Sequence, residues 1–146
     1  MSEITDATKR QLIRQAFQAR EGSYAPYSRF KVGAALMVDD GRVFLGANIE
    51  NASYGATICA ERTAAVQAAM AGYRAFVAMA VVGAPDGAKQ DDFGFAYPCG
   101  ICRQFLREFR PPEGDITVLV ARTETDYRET TLNALLPDSF GPEDLE

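Results

Sequence analysis

In the stretch TICAERTAA, Cys59 and Glu61 are separated by one residue and Arg62 follows at once; the stretch YPCGICRQF adds Cys99 and Cys102. These are the only cysteines in the chain, and it has no histidine. Zinc is satisfied by sulfur in a tetrahedral arrangement, so three thiolates would be natural ligands for it. Three protein ligands without a fourth is the pattern of a catalytic zinc, whose open position holds water. Thr57 is placed as an N-cap, which puts Cys59 in the first turn of a helix. Cys99 falls at or near the cap of a second helix, and Cys102, three residues on, shares its face. A helix N-terminus carries roughly half a positive charge and favours thiolate over thiol. Two such ends brought together would offer three sulfurs to one cation.

Glu61 lies two residues from Cys59, so the two side chains do not share a helix face. A metal beyond the helix end is reached by Cys59 directly, leaving Glu61 to approach the water as a general acid/base. Three thiolates over-neutralise a divalent cation and make it a weaker Lewis acid than three neutral ligands would. A guanidinium bonded to the sulfurs withdraws that charge, and Arg62 is expected to do so. The blander alternatives are a redox Cys-x-x-Cys, a structural zinc with Glu61 as fourth ligand, and Cys59 as a buried core thiol. Each competes when a stretch is taken singly, but Cys-Ala-Glu at one helix start together with Pro-Cys-x-x-Cys at another forms a specific pattern, and catalytic zinc is favoured.

The elements that must position these residues can be read from periodicity. Residues 5–19 form an amphipathic helix with Leu12, Ile13, Ala16 and Phe17 on one stripe. VGAALMV and RVFLGANI read as strands joined at Asp39-Asp40-Gly41, a hairpin signal. The Cys59 helix is expected to run to Met70, and FVAMAVVG is an apolar run typical of a strand buried on both faces. Residues 84–97 form a long loop, and a short helix covers 100–109 before Pro111-Pro112. ITVLVAR and YRETT are late strands, and LNALLP a last helical turn. A hairpin followed by alternating helix and strand predicts an α/β fold, a mixed sheet with helices on both faces.

At 146 residues the chain is expected to form a single domain, 1–146, able to fold without a disulfide staple. An odd number of cysteines suits a reducing compartment, and neither a signal peptide nor a membrane span is evident, so a cytoplasmic location is expected. Fifteen basic residues stand against twenty acidic ones, a net charge of −5. That balance disfavours binding to nucleic acid, which calls for a basic patch. Arg103, Arg107 and Arg110 are the one local basic cluster, and the spacing of the first two reads as a solvated helix face.

PYSRFKVGAAL, NIENASYG, TICAERTAA, DDFGFAYPCGICRQ and LLPDSFGPEDL, in this order and spacing, resemble the small homotetrameric zinc-dependent cytidine deaminases over nearly the whole chain. The resemblance implies a three-layer α/β/α sandwich around a five-stranded sheet, and one zinc ion per chain on Cys59, Cys99 and Cys102. It implies that Glu61 shuttles protons during hydrolytic deamination of cytidine and 2′-deoxycytidine, a pyrimidine-salvage reaction. Asn48 and Glu50 would hold the ribose hydroxyls, and residues two apart on a strand point to the same side. Phe30 would line the base pocket, Ala60 would contact substrate, and Tyr27, Tyr54 and Phe140 would complete sites across the interfaces of a homotetramer. Rival readings are a deaminase of a cytosine-nucleoside antibiotic of the blasticidin type, a polynucleotide-editing deaminase, and a zinc-stabilised scaffold without turnover.

Overall fold

The computed structural model describes residues 4–146. Its sheet has five strands in the order β2-β1-β3-β4-β5, formed by β1 (Phe30–Val38), β2 (Val43–Ala47), β3 (Phe76–Pro85), β4 (Thr117–Ala121) and β5 (Tyr127–Thr131). β1 runs antiparallel to both β2 and β3. β3 and β4 are parallel, and β5 is antiparallel to β4. A mixed sheet is thus observed, as expected. The hairpin turns at Gly41, whose φ of 92° is open to glycine without strain.

Side-chain alternation divides the core into two layers. Ala34, Leu36, Val81, Val118 and Val120 face one side of the sheet, and Ala35, Ala80, Val82, Leu119 and Ala121 face the other. Helix α1 (Asp6–Arg20) covers the second side with Leu12, Ile13 and Ala16. Helix α2 (Ala60–Met70) covers the first side with Ala60, Ala64, Ala65 and Ala68. Helix α3 (Gly100–Arg107) and the single turn α4 (Leu132–Leu135) add Leu106 and Leu132 on that side. The three-layer α/β/α sandwich follows. The parallel pairing of β3 with β4 demands a crossover, and α3 lies within it.

Several boundaries differ from the sequence reading. Thr57 does not cap α2: its hydroxyl accepts from the Asn51 N–H, and Cys59 itself is the N-cap. β2 stops at Ala47, so Asn48 and Glu50 lie beyond it on either side of Ile49, which bridges Tyr24 and Ile58. α3 ends at Arg107, two residues early, and β3 runs on to Pro85 at the start of the expected loop. Arg107 is also not on a solvated face. It is buried at 6% exposure, donates to Ser139 Oγ and pairs with Glu143. Arg103 is half-buried and donates to the carbonyls of Pro98 and Leu135. Arg107 thus faces the C-terminal tail and Arg103 reaches α4, partners that no helical periodicity within α3 could reveal.

Helix α2 rests on β2 without an intervening side chain. A Cβ on Gly46 would lie 2.3 Å from the Ala60 carbonyl and 2.5 Å from the Ala64 nitrogen. The first turn of α2 is therefore fixed by backbone contact with the sheet. Gly46→Ala is expected to cost about 1–3 kcal/mol by forcing these elements apart. Gly55→Ala, in open space, should stay within about 0.5 kcal/mol of the parent, and urea unfolding of the two variants compares them directly.

Candidate metal centre and active-site cavity

Reciprocal backbone bonds between Ile49 and Ile58, at 2.9 and 3.0 Å, fix the approach to α2. Cys59 then takes the N-cap of α2 and Cys99 the N-cap of α3, each with extended backbone and no capping bond from its side chain. Their sulfurs are thereby free to meet. Cys59 Sγ lies 3.8 Å from Cys99 Sγ, which lies 3.5 Å from Cys102 Sγ, and all three fall within 4.8 Å of one another. A tetrahedral zinc with bonds of about 2.3 Å holds its sulfurs about 3.8 Å apart, so the cluster fits that ion in size as well as in donor type.

The electrostatics of the cluster also call for a cation. The neighbouring Cys102 sulfur draws the Cys59 thiol down to about 5, against the effect of burial and with help from Arg62 and Cys99. The same contact with Cys59, together with burial, pushes the Cys102 thiol up. One negative charge is thus comfortable here and a second is resisted until a positive ion joins them. Arg62 supplies part of the compensation: its Nη2 donates to Cys59 Sγ at 3.7 Å and to the Thr57 carbonyl at 3.3 Å. Burial works against the charge on Arg62, but the bond to Cys59 and the nearby Cys102 outweigh it and raise its pKa. Arg62 Nε is buried without a partner among the described residues, which is tolerable beside an anionic centre.

Beside the sulfurs opens a cavity of about 190 Å³. Phe30, Asn48, Cys59, Ala60, Glu61 and Cys99 line it, and all six were singled out in the sequence. Glu61 is 4% exposed. Burial lifts its carboxyl to about 7, opposed by its own backbone N–H and assisted by the charge on Cys59. The Phe30 ring is held near the β3 backbone, since a Cβ on Gly83 would lie 3.0 Å from it. Asn48, 8% exposed, accepts from the Val32 N–H and Ser23 Oγ and donates from Nδ2 to the Phe30 carbonyl at 2.8 Å. Its side chain therefore braces the β1 entry while bordering the cavity.

Other expected residues stand outside the lining. Glu50 is half-buried, and its Oε1 accepts from the N–H groups of Tyr27 and Ser28. Bonds from Ser28, opposed by desolvation, hold its carboxyl below the usual range. Tyr27 and Tyr54 form a tilted pair 5.9 Å apart, both facing solvent. Phe140 is 58% exposed on the tail, whose backbone is held at the Phe140 carbonyl by Gln104 Nε2. Thr57, Val32, Val81, Ala96 and Tyr97 complete the cavity wall. The valines look in sequence like any core strand residue, and Thr57 was read only as a cap. Tyr97, an aromatic placed directly before Pro98-Cys99, carried a signal that could have been used.

Comparison with known proteins agrees with this geometry. Residues 6–117 match the family model described as the cytidine and deoxycytidylate deaminase zinc-binding region. A cytidine deaminase of Halalkalibacterium halodurans is 49% identical over 94% of this chain and 97% of its own length. One from Mycobacterium tuberculosis is 44% identical over 89% of this chain and 87% of its own. The crystal structure of cytidine deaminase from Burkholderia pseudomallei superposes with a TM-score of 0.77 at 49% identity, covering 89% of this chain and 97% of that one. Three converging sulfurs, a buried carboxyl beside them and the match along most of the sequence place the chain in the zinc-binding cytidine and deoxycytidylate deaminase family.

Proposed function

We propose that this chain, acting as one domain, hydrolyses cytidine and 2′-deoxycytidine to uridine and 2′-deoxyuridine with release of ammonia, using zinc held by Cys59, Cys99 and Cys102. The observation that carries the reading is the placement of Glu61, buried yet lining the same cavity as the Cys59 and Cys99 side chains. When bound, the zinc supplies Lewis acidity that lowers the pKa of water towards neutrality. Glu61 accepts a proton as the water oxygen bonds to C4 and delivers it to N3 of the ring. It then transfers the remaining hydroxyl proton to the amine, the C4–N bond breaks, and C4 is left as a carbonyl.

Substrate placement follows from the groups around Glu61. Ala60 opens α2, so its backbone N–H lacks an intrahelical partner and is offered to the base. Phe30 presents an aromatic surface to the pyrimidine. Asn48 has a second Nδ2 hydrogen beyond the one given to Phe30, and Glu50 has an oxygen beyond the one held by Tyr27 and Ser28. These are suited to ribose hydroxyls. Arg62 positions and discharges the sulfur cluster through Cys59.

The assembly is proposed to be a homotetramer in which Tyr27, Tyr54 and Phe140 reach neighbouring sites. Their exposure, together with exposed Ile58 and Ile101 at the starts of α2 and α3, leaves an apolar surface beside the cavity that a second copy would cover. The net charge of −5 gives no support to a polynucleotide substrate. No helix among the described residues is long and apolar enough to cross a membrane. Three free thiols suit a reducing cytoplasm.

Glu61→Gln is expected to retain zinc while cytidine turnover, followed by ultraviolet absorbance, falls by about 10²–10⁴-fold. Loss of zinc from that variant would instead indicate a fourth ligand in a scaffold. Arg62→Ala should lower kcat by about 10–100-fold through the sulfur it contacts, and unchanged kcat would remove Arg62 from that role. Sedimentation equilibrium is expected to give four chains per particle; a monomer with full activity would refute the shared sites.

A further inference from the structure

The tyrosine at position 97 occupies a place the deamination chemistry above leaves unused. Tyr97 lines the cavity with Ala96 and Cys99, although the residue remains 42% exposed. The phenol does not hang free. Arg128 on β5 donates from Nη1 to the Tyr97 hydroxyl at 3.1 Å, and its guanidinium lies 3.9 Å from the centre of the Phe95 ring. Phe95 packs against the core on the α2 side, and a second guanidinium, that of Arg122, lies 5.7 Å from the same ring. Arg122 also donates from Nε to the Phe93 carbonyl at 2.8 Å and pairs with Asp126. The segment 93–97 has no regular secondary structure, so these contacts are what hold it. Cation–π contacts of this kind orient a ring as well as stabilise it.

The position of this segment says which part of a substrate it would meet. The reading of the site as a cytosine nucleoside deaminase, on which this inference rests, points C4 of the base at the sulfur cluster. Two ring atoms flank C4. N3 lies on the side of Glu61 and Ala60, at the start of α2. C5 must then lie on the other side, and the remaining wall next to the sulfurs is the approach to α3, with Ala96, Tyr97 and Cys99. N1 carries the sugar away towards Asn48, so the C5–C6 edge is the one left for the aromatic wall.

We infer that Tyr97 is a specificity-determining residue, held by Arg128, whose ring limits the bulk that a cytosine nucleoside can carry at C5. A restrained ring excludes an added methyl group more sharply than a mobile one, because yielding would break the bond to Arg128 and unseat the guanidinium from Phe95. Exclusion of one methyl group from such a wall corresponds to a discrimination of about 10-fold to 200-fold.

The test compares kcat/KM for cytidine, 5-methylcytidine and 2′-deoxycytidine in the zinc-loaded wild type and in Tyr97→Ala, Tyr97→Phe and Arg128→Met. The ratio of 5-methylcytidine to cytidine is expected to rise by about tenfold or more in Tyr97→Ala. It should rise by a smaller factor in Tyr97→Phe and Arg128→Met, which keep the ring and release it. The ratio of 2′-deoxycytidine to cytidine should stay put in all three. A 5-methylcytidine ratio unchanged in Tyr97→Ala, or an equal shift in both ratios, overturns the inference. If Tyr97→Ala fails to fold, the other two variants decide it by the same criterion. Failure of the wild type to deaminate cytidine would strike at the proposed reaction itself, a result distinct from an unchanged ratio.

Discussion

Bringing the sulfurs of Cys59, Cys99 and Cys102 within 4.8 Å requires two helices to begin at one place, and most of the chain is organised around meeting that requirement. α2 enters from the Ile58–Ile49 bridge and settles on the bare backbone of Gly46. α3 enters from the end of the 93–97 segment and is carried to its position by the parallel pairing of β3 with β4. Each helix donates its N-cap residue to the centre and leaves that side chain free of capping. The result is a crowded set of thiols in which the Cys59 thiol is drawn down and the Cys102 thiol pushed up, an imbalance that a bound cation would relieve. Affinity for the metal and the shape of the fold are therefore one problem: the repulsion overcome on binding is built in by the same contacts that place the helices.

Glu61 shows how the same arrangement separates two tasks. It stands two residues from Cys59, off the face that points to the sulfurs, yet at the same helix start. Its burial raises its proton affinity, while Arg62, next along the chain, reaches back to the Cys59 sulfur. In the proposed reaction adjacent residues would serve opposite electrostatic ends, one accepting protons and the other moderating sulfur charge. Helical geometry makes this possible because neighbours in sequence diverge by about 100° around the axis.

Much of this was legible in the sequence, and what was not has physical causes. The convergence of the three cysteines with Glu61 and Arg62 beside them could be read because cysteine and a neighbouring carboxylate are rare enough in combination to carry chemical meaning. The strands and helices could be read because alternation and the 3.6-residue repeat are local. Arg107 could not, because its burial is caused by Ser139 and Glu143, more than thirty residues downstream. Thr57 was misjudged as a cap because Cys59, a weak capping residue, takes that position so that its sulfur can face the centre. The position of Tyr97 before Pro98-Cys99 was legible, but its bond to Arg128 was not, because Arg128 is on β5 and only the folded sheet edge brings the two together.

The fastening of the tail has a mechanical side. Arg107 and Gln104 tie residues 139–143 to α3. Tension applied at the C-terminal end therefore passes first into that helix, whose opposite end carries Cys99 and Cys102. A metal held by Cys59, Cys99 and Cys102 would link α3 across to α2, which rests on the sheet at Gly46, and would resist traction before it reached the strands. Without metal, α3 would be held by its apolar face, by the bond from Arg103 to the Leu135 carbonyl and by the bond from the Phe76 N–H to the Phe109 carbonyl just beyond its end, and the tail with its helix would be the first part of the molecule that a pulling force peels away.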